Sequence, residues 1–122
     1  MKKWLLVVLV VSILSLVACS NGSASYATID IDEVETKMTE GFIVLDVREP
    51  NEFAAGHIPP AKNKPLSVLQ QDDFSELSKE EQYIVICRSG TRSQTASEIL
   101  VNAGYEVVNV SAGMSSWTGA IE

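Results

Sequence analysis

A cysteine close to two arginines offers the clearest chemistry in this sequence of 122 residues. The stretch Cys87-Arg88-Ser89-Gly90-Thr91-Arg92 combines a nucleophile, two cations and a glycine that permits a tight turn. The thiolate is the reactive form of cysteine, and positive charge near the sulfur favours it. The stretch therefore predicts an anion-binding loop around a reactive Cys87.

The patterns on either side predict the elements that hold this loop. Residues 83–86 are all strand formers. Small and apolar residues after the loop recur at helix spacing, at Ala96, Ile99, Leu100 and Ala103. The loop is therefore a predicted turn from a strand into a helix that runs from about Ser93 to Gly104. Such a turn directs backbone N–H groups and the positive end of the helix dipole at one point.

An energy estimate shows what the arginines would have to supply. Lowering the pKa of a cysteine from about 8.5 to about 7 requires roughly 2 kcal/mol. A helix N-terminus contributes about 0.3–1 kcal/mol, so a nearby arginine has to provide the rest. The alternative is a buried, inert cysteine, because free cysteine is among the most buried residue types. Two flanking arginines and a glycine turn argue against that alternative.

Three motifs resemble segments of one known family. Residues 87–92 resemble the active-site loop of the rhodaneses, which are sulfurtransferases. Residues 46–53, followed by Gly56-His57-Ile58-Pro59, are similar to the stretch that precedes that loop, and residues 113–117 resemble the closing segment. The motifs occur in the family's order over residues 28–117. The resemblance implies a single α/β domain with a central parallel sheet of about five strands flanked by helices.

The resemblance also implies a reaction and a set of site residues. Cys87 would accept a sulfane sulfur from a donor such as thiosulfate, hold it as a persulfide and pass it to cyanide or a thiol. Arg88 and Arg92 would orient the anionic donor, and loop N–H groups would stabilise the negative sulfur. The expected substrate-binding residues are Arg88, Ser89, Gly90, Thr91, Arg92 and Ser93. Asp46 and Arg48 would order the pocket through hydrogen bonds, although a purely structural ion pair or helix cap is an equal alternative.

Two other functions fit parts of the pattern. A related fold serves one class of protein phosphatases, whose loop places five residues between cysteine and arginine. Here only residues 88–91 intervene, which leaves a cradle better suited to a terminal sulfur than to a phosphoryl group. A non-catalytic module that binds sulfane sulfur or a partner's thiol, or that senses redox state, would also retain Cys87.

The remaining patterns predict alternating strands and helices. Apolar runs at residues 42–45 and 105–110 predict two more strands, and residues 31–38 and 49–55 predict helices. Asp30 and Glu33 have capping-box spacing before the first helix. This alternation indicates a parallel sheet, in which Asp46 and Cys87 would both follow carboxyl ends of strands and face one crevice.

Two segments between the motifs have weaker patterns. Lys62 and Lys64 interrupt residues 61–66, which therefore predict a solvent-exposed edge strand at most. Residues 67–77 predict short helical turns, and Asp72 and Asp73 within them are assigned to a solvated face rather than a metal site, because no histidine or cysteine accompanies them. The sequence indicates no cofactor.

His57 is the only histidine and hence a candidate general base for Cys87. The resemblance places it in a structural turn. A thiolate that is already ionised needs no base, so we favour the structural role.

The first 27 residues resemble an export segment. Lys2 and Lys3 precede an apolar run that fits a signal peptide over residues 1–18 and is short for a transmembrane anchor, the less favoured alternative. Leu16-Val17-Ala18-Cys19 resembles the lipobox of bacterial lipoproteins, which implies lipidation of Cys19. Residues 19–27 would then form a flexible tether, and residues 28–122 the rhodanese-like domain.

The net charge of the chain limits the kinds of partner that it can bind. The formal net charge is −7, and loss of Lys2 and Lys3 with residues 1–18 would leave −9. Such an acidic chain argues against nucleic acid and against adsorption to an anionic membrane through charge. With Cys19 lipidated, Cys87 would be a lone thiol. We expect a monomer, lipid-anchored on the extracytoplasmic side of the cell envelope, whose other partners are a small anionic sulfur donor and a cyanide or thiol acceptor.

Overall fold

Five parallel strands form one sheet in the computed structural model, which describes residues 25–122. The strands are β1 (Ala27–Ile29), β2 (Ile43–Asp46), β3 (Lys62–Asn63), β4 (Gln82–Ile86) and β5 (Glu106–Val110). Their order across the sheet is β1-β5-β4-β2-β3. The sheet confirms the predicted α/β fold class and its strand number.

Helices connect the strands, as parallel pairing requires. The α-helices are α1 (Val34–Thr39), α2 (Pro50–Ala54), α3 (Leu66–Leu69) and α4 (Thr91–Asn102). Short 3-10 helices at Ile31–Glu33 and Met114–Ser116 complete the described elements. The loops after β2 and β4 leave the same edge of the sheet, because Asp46 is in register with Ile86.

The alternation of side chains along β4 determines which side of the sheet Cys87 faces. Tyr83, Val85 and Cys87 share a core cluster with Leu100 of α4. Ile84 and its neighbour Ile86 belong instead to a second cluster. Cys87 follows β4 directly and is only 1% exposed. The strand period therefore places the thiol on the α4 side, where that helix begins.

Three local features differ from the sequence predictions. Helix α4 begins at Thr91 rather than near Ser93, because Gly90 has a φ of 96° and turns the chain into the helix directly. Asp30 makes no side-chain cap bond, so the predicted capping box there is wrong. The box forms instead at α2, where the side chains of Glu49 and Glu52 each bond the other's backbone N–H group.

Both edges of the sheet are short. Strand β3 pairs only with β2 and confirms the predicted edge position. Lys64 is nevertheless buried rather than exposed, because its Nζ donates to the carbonyl oxygen of Ser75 at 2.8 Å and lies 3.4 Å from a carboxylate oxygen of Asp73. Strand β1 was not predicted, and it begins at Ala27, within the last residues that composition assigned to the tether.

The proposed signal peptide, Cys19 and most of the tether lie outside the described residues. Within residues 25–122, no helix has the length and apolar character needed to cross a membrane. No three histidine, cysteine, aspartate or glutamate side chains of that range are grouped as metal ligands.

Candidate active site

The sulfur of Cys87 accepts backbone hydrogen bonds from the loop that surrounds it. The N–H group of Gly90 donates to Sγ at 3.1 Å, and that of Ser93 donates at 3.3 Å. The left-handed conformation of Gly90 allows the loop to curl back so tightly. Because Ser93 lies in the first turn of α4, the helix N-terminus faces the same sulfur. This geometry directs hydrogen-bond donors at the sulfur, the arrangement that an anion-binding loop requires.

Burial and hydrogen bonding act in opposite directions on the thiol. Burial raises the pKa of Cys87, whereas hydrogen bonds from the Ser93 side chain and from the N–H groups of Ser93, Gly90 and Ser89 lower it. The Ser93 hydroxyl also donates to the Gly90 carbonyl oxygen at 3.3 Å. The hydrogen bonds outweigh burial, so the pKa of the thiol lies below its usual range. The site therefore increases the thiolate fraction at neutral pH.

The segment around Gly113 supports the Cys87 loop from outside. The Met114 N–H group donates to the Cys87 carbonyl oxygen at 2.8 Å, and the Ser115 N–H group donates to that of Arg88 at 3.0 Å. A Cβ atom on Gly113 would overlap the Arg88 carbonyl group and the Cys87 carbonyl oxygen. Glycine is needed there because the two backbones approach each other closely. This contact places residues 113–117, the third motif, against the Cys87 loop.

Asp46 and Arg48 form a buried ion pair at the carboxyl end of β2. The Arg48 Nη2 atom donates to the Asp46 carboxylate at 2.7 Å and to the Gly56 carbonyl oxygen at 2.7 Å. The Arg48 backbone N–H group donates to the same carboxylate at 3.0 Å. These bonds fix the chain from β2 to the end of α2. Asp46 is fully buried, so it acts on the site through Arg48.

The structure places the three arginines of the motifs differently. Arg48 and Arg88 line a groove of about 300 Å³ beside the Cys87 loop. The other lining residues are Glu52, Ala55, Met114 and Ser115. Arg92 lies in the first turn of α4 and does not line this groove. Its Nη1 and Nη2 atoms instead donate to the two carboxylate oxygens of Glu52 at 2.7 and 2.9 Å.

Glu52 is the site residue that the sequence patterns did not single out. It lies 40 positions before Arg92 in the chain, and only the fold brings the two together. Its spacing from Glu49, typical of a capping box, was the only local signal. The hydrogen bond from Arg92 is the main reason why the pKa of Glu52 is lowered to about 2, so the carboxylate is charged near neutral pH.

His57 has structural contacts. Its ring stacks on Phe53 with centroids 3.7 Å apart, and its Nδ1 atom lies 2.9 Å from the Phe53 carbonyl oxygen. The other imidazole nitrogen lies 4.0 Å from the Glu122 carboxylate. This placement agrees with the structural role expected for the only histidine.

Comparison with known proteins identifies the family. The rhodanese-like domain matches residues 30–120, about three quarters of the chain. The chain belongs to the rhodanese-like domain family. A solved rhodanese-related protein from Thermoplasma volcanium is similar, with a TM-score of 0.73 at 33% identity, covering 80% of this chain and 98% of that one.

Curated relatives of this rhodanese-like protein support sulfur transfer as its general reaction. Thiosulfate sulfurtransferase 18 of Arabidopsis thaliana is 31% identical over 115 residues, covering 83% of this chain and 85% of the relative. YrkF of Bacillus subtilis is 33% identical over 106 residues, covering 84% of this chain but 57% of YrkF. The chain thus spans little more than half of YrkF.

Replacing Gly113 with alanine tests the support of the loop. The added Cβ atom must displace the Cys87 and Arg88 backbone, so we expect Gly113→Ala to slow sulfur loading at least about tenfold and to destabilise the fold by about 1–3 kcal/mol. Gly41→Ala is the matched control, because Gly41 has a φ of 98° but nothing within 4 Å of its Cβ position. It should lower the melting temperature through backbone strain and leave loading intact. Equal loading rates for both variants would contradict the role of Gly113.

Removing the Ser93 hydroxyl tests the pKa argument. Without this donor the pKa of Cys87 rises, so the thiolate fraction and the loading rate fall at neutral pH and recover at alkaline pH. The acid limb of the pH–rate profile of Ser93→Ala should therefore move to higher pH with its plateau retained. Ser97→Ala, which removes a buried hydroxyl without a hydrogen-bond partner from the same helix, should leave the profile in place. An unshifted profile for Ser93→Ala would remove the hydroxyl from the account.

Proposed function

We propose that this protein is an enzyme that moves a sulfane sulfur from an anionic donor, such as thiosulfate, to cyanide or a thiol. Cys87 carries the sulfur as a persulfide between the two half-reactions. Membership of the rhodanese-like family supports the reaction class. The observation that carries the proposal is the Cys87 sulfur, which accepts two backbone hydrogen bonds beside a groove lined by cationic side chains.

The first half-reaction is a displacement at sulfur. The Cys87 thiolate attacks the outer sulfur of thiosulfate, a Cys87–sulfur bond forms, and the donor's sulfur–sulfur bond breaks to release sulfite. The persulfide keeps one negative charge, now on its terminal sulfur. The N–H groups of Gly90 and Ser93, which donate to Sγ, would stabilise the negative charge on the sulfur of the loop.

The second half-reaction restores the thiolate. Cyanide or a thiolate attacks the terminal sulfur, and the electron pair of the breaking sulfur–sulfur bond returns to Cys87. The lowered pKa increases the fraction of Cys87 that is ionised, and this fraction reacts without a base. This explains how the site can work with its only histidine stacked on Phe53.

The groove supplies the recognition of the anion. Arg88 follows Cys87 directly in the chain, is exposed and lines the groove, so it is the cation best placed to meet a donor. Arg48 lines the same groove, although its guanidinium is already bonded to Asp46. Arg92 bonds the Glu52 carboxylate, so its charge is offset by that of Glu52. The two arginines expected at the donor therefore have different tasks in this proposal.

Sustained turnover distinguishes this enzyme from a module that only binds sulfane sulfur. We expect the protein to form thiocyanate continuously from thiosulfate and cyanide, far beyond one equivalent per Cys87. Cys87→Ser should abolish the activity and keep the circular dichroism and melting temperature of the parent. Thiocyanate formation that stops after one equivalent would favour the binding module, and activity retained in Cys87→Ser would refute the mechanism.

We also propose that the protein is exported and anchored to the cell envelope by lipid on Cys19. Support comes from the sequence alone: a charged start, an apolar run and a lipobox-like Leu16-Val17-Ala18-Cys19. The acidic remainder offers no basic face for membrane attachment, so the anchor would have to be acyl chains, and stable anchoring requires two or more.

Fatty-acid labelling tests the anchor. The parent protein should incorporate a labelled fatty acid and fractionate with membranes, whereas Cys19→Ala should lose the label and leave the membrane fraction. A Cys19→Ala protein that is still labelled and membrane-bound would refute the proposal. Sulfur transfer by the purified protein does not depend on this result.

A further inference from the structure

Glu52 places a negative charge in the groove where an anionic donor would bind. Its carboxylate lines the groove and holds the Arg92 guanidinium in two hydrogen bonds. The pKa of about 2 means that this carboxylate remains charged throughout the neutral range. A carboxylate facing an anionic substrate lowers the affinity of the site for that substrate.

The charges around the groove can be counted in pairs. Arg48 is compensated by Asp46, with Nη2 2.7 Å from the carboxylate. Arg92 is compensated by Glu52, also at 2.7 Å. Among residues 25–122, Arg88 has no ion-pair partner. The local sum over these three arginines and two carboxylates is therefore +1, without the charge of the Cys87 thiolate, which is common to every variant compared below.

We propose that Glu52 is a specificity-determining residue that limits the preference of the site for doubly charged sulfur donors by cancelling the charge of Arg92. This inference rests on the proposed function and deepens it. A Glu52 variant without the negative charge would leave Arg92 uncompensated and raise the local sum to +2. The gain should be larger for a dianion than for a monoanion, because the Coulomb energy scales with the product of the charges.

The structural task of Glu52 can be kept while its charge is removed. One carboxylate oxygen accepts the Glu49 N–H group at 3.0 Å and closes the cap of α2. The amide oxygen of glutamine can accept the same bond, so Glu52→Gln removes the charge and retains the cap. Glu49→Gln is the matched control. Glu49 lies at the same helix end, bonds Ser67 at 2.9 Å and does not line the groove, and its charge acts on Arg92 less than that of Glu52 does.

Two sulfur donors of similar shape but different charge separate the effect of donor charge from the effect of the reaction itself. Thiosulfate carries two negative charges, and methanethiosulfonate carries one, with a methyl group in place of an oxygen. Each donates its outer sulfur to the Cys87 thiolate, and the broken sulfur–sulfur bond releases sulfite from the first donor and methanesulfinate from the second. The ratio of the two kcat/KM values is insensitive to a change in the thiolate fraction of Cys87, because both reactions use the same nucleophile.

The experiment measures kcat/KM for both donors, with cyanide as acceptor, on the detergent-purified full chain. Glu52→Gln should raise kcat/KM about tenfold for thiosulfate and about threefold for methanethiosulfonate, so that the ratio rises about threefold. Arg92→Ala should lower the ratio by a similar factor. The double variant restores the local sum of +1 and should return the ratio to that of the parent. Glu49→Gln should move the ratio less than Glu52→Gln does.

The outcomes separate this inference from the proposed function. If the parent protein accepts sulfur from neither donor, the proposed function fails and the inference fails with it. If the parent uses both donors but Glu52→Gln leaves the ratio unchanged, the inference is overturned and the sulfur-transfer function stands. Thermal unfolding of each variant checks that it is folded, and a misfolded Glu52→Gln protein would contradict the claim that glutamine preserves the cap.

Discussion

The site depends on the hydrogen bonds that two backbone N–H groups donate to the Cys87 sulfur. They require a loop that curls back on its own cysteine, and therefore a left-handed Gly90 and a helix that begins immediately afterwards. They oppose the effect of burial, which alone would keep the thiol protonated. The strand period of β4 and the backbone contact at Gly113 both serve to hold this loop in place.

Charge compensation is the second constraint on the site. Two of its arginines are held by carboxylates, one through a buried pair and one through a partly exposed pair. The buried pair with Asp46 orders the chain after β2, where loss of one partner would leave an uncompensated buried charge. The pair between Glu52 and Arg92 joins α2 to α4. In the proposed function, the affinity for an anionic donor would depend on which arginines are compensated as well as on how many are present.

The sequence predicted the parts that depend on local patterns. Strands β2, β4 and β5 came from apolar runs, and the loop came from the residue types between Cys87 and Arg92. Strand β1 has three residues with only Ile29 buried, too few for a periodic signal. The pairing of Glu52 with Arg92 spans 40 positions, and the approach of Gly113 to Arg88 spans 25, so both depend on the assembled sheet. Local patterns show which side chains are charged, whereas the fold determines which of these charges lie close enough to compensate each other.

The intact mass of the protein after exposure to thiosulfate tests the central claim most directly. A persulfide carrier should gain one sulfur atom, lose it again on treatment with a reducing thiol, and show no gain as the Cys87→Ser variant. Absence of any gain with thiosulfate and with polysulfide would contradict the account, because the hydrogen-bonded sulfur of Cys87 would then not be the group that accepts the transferred atom.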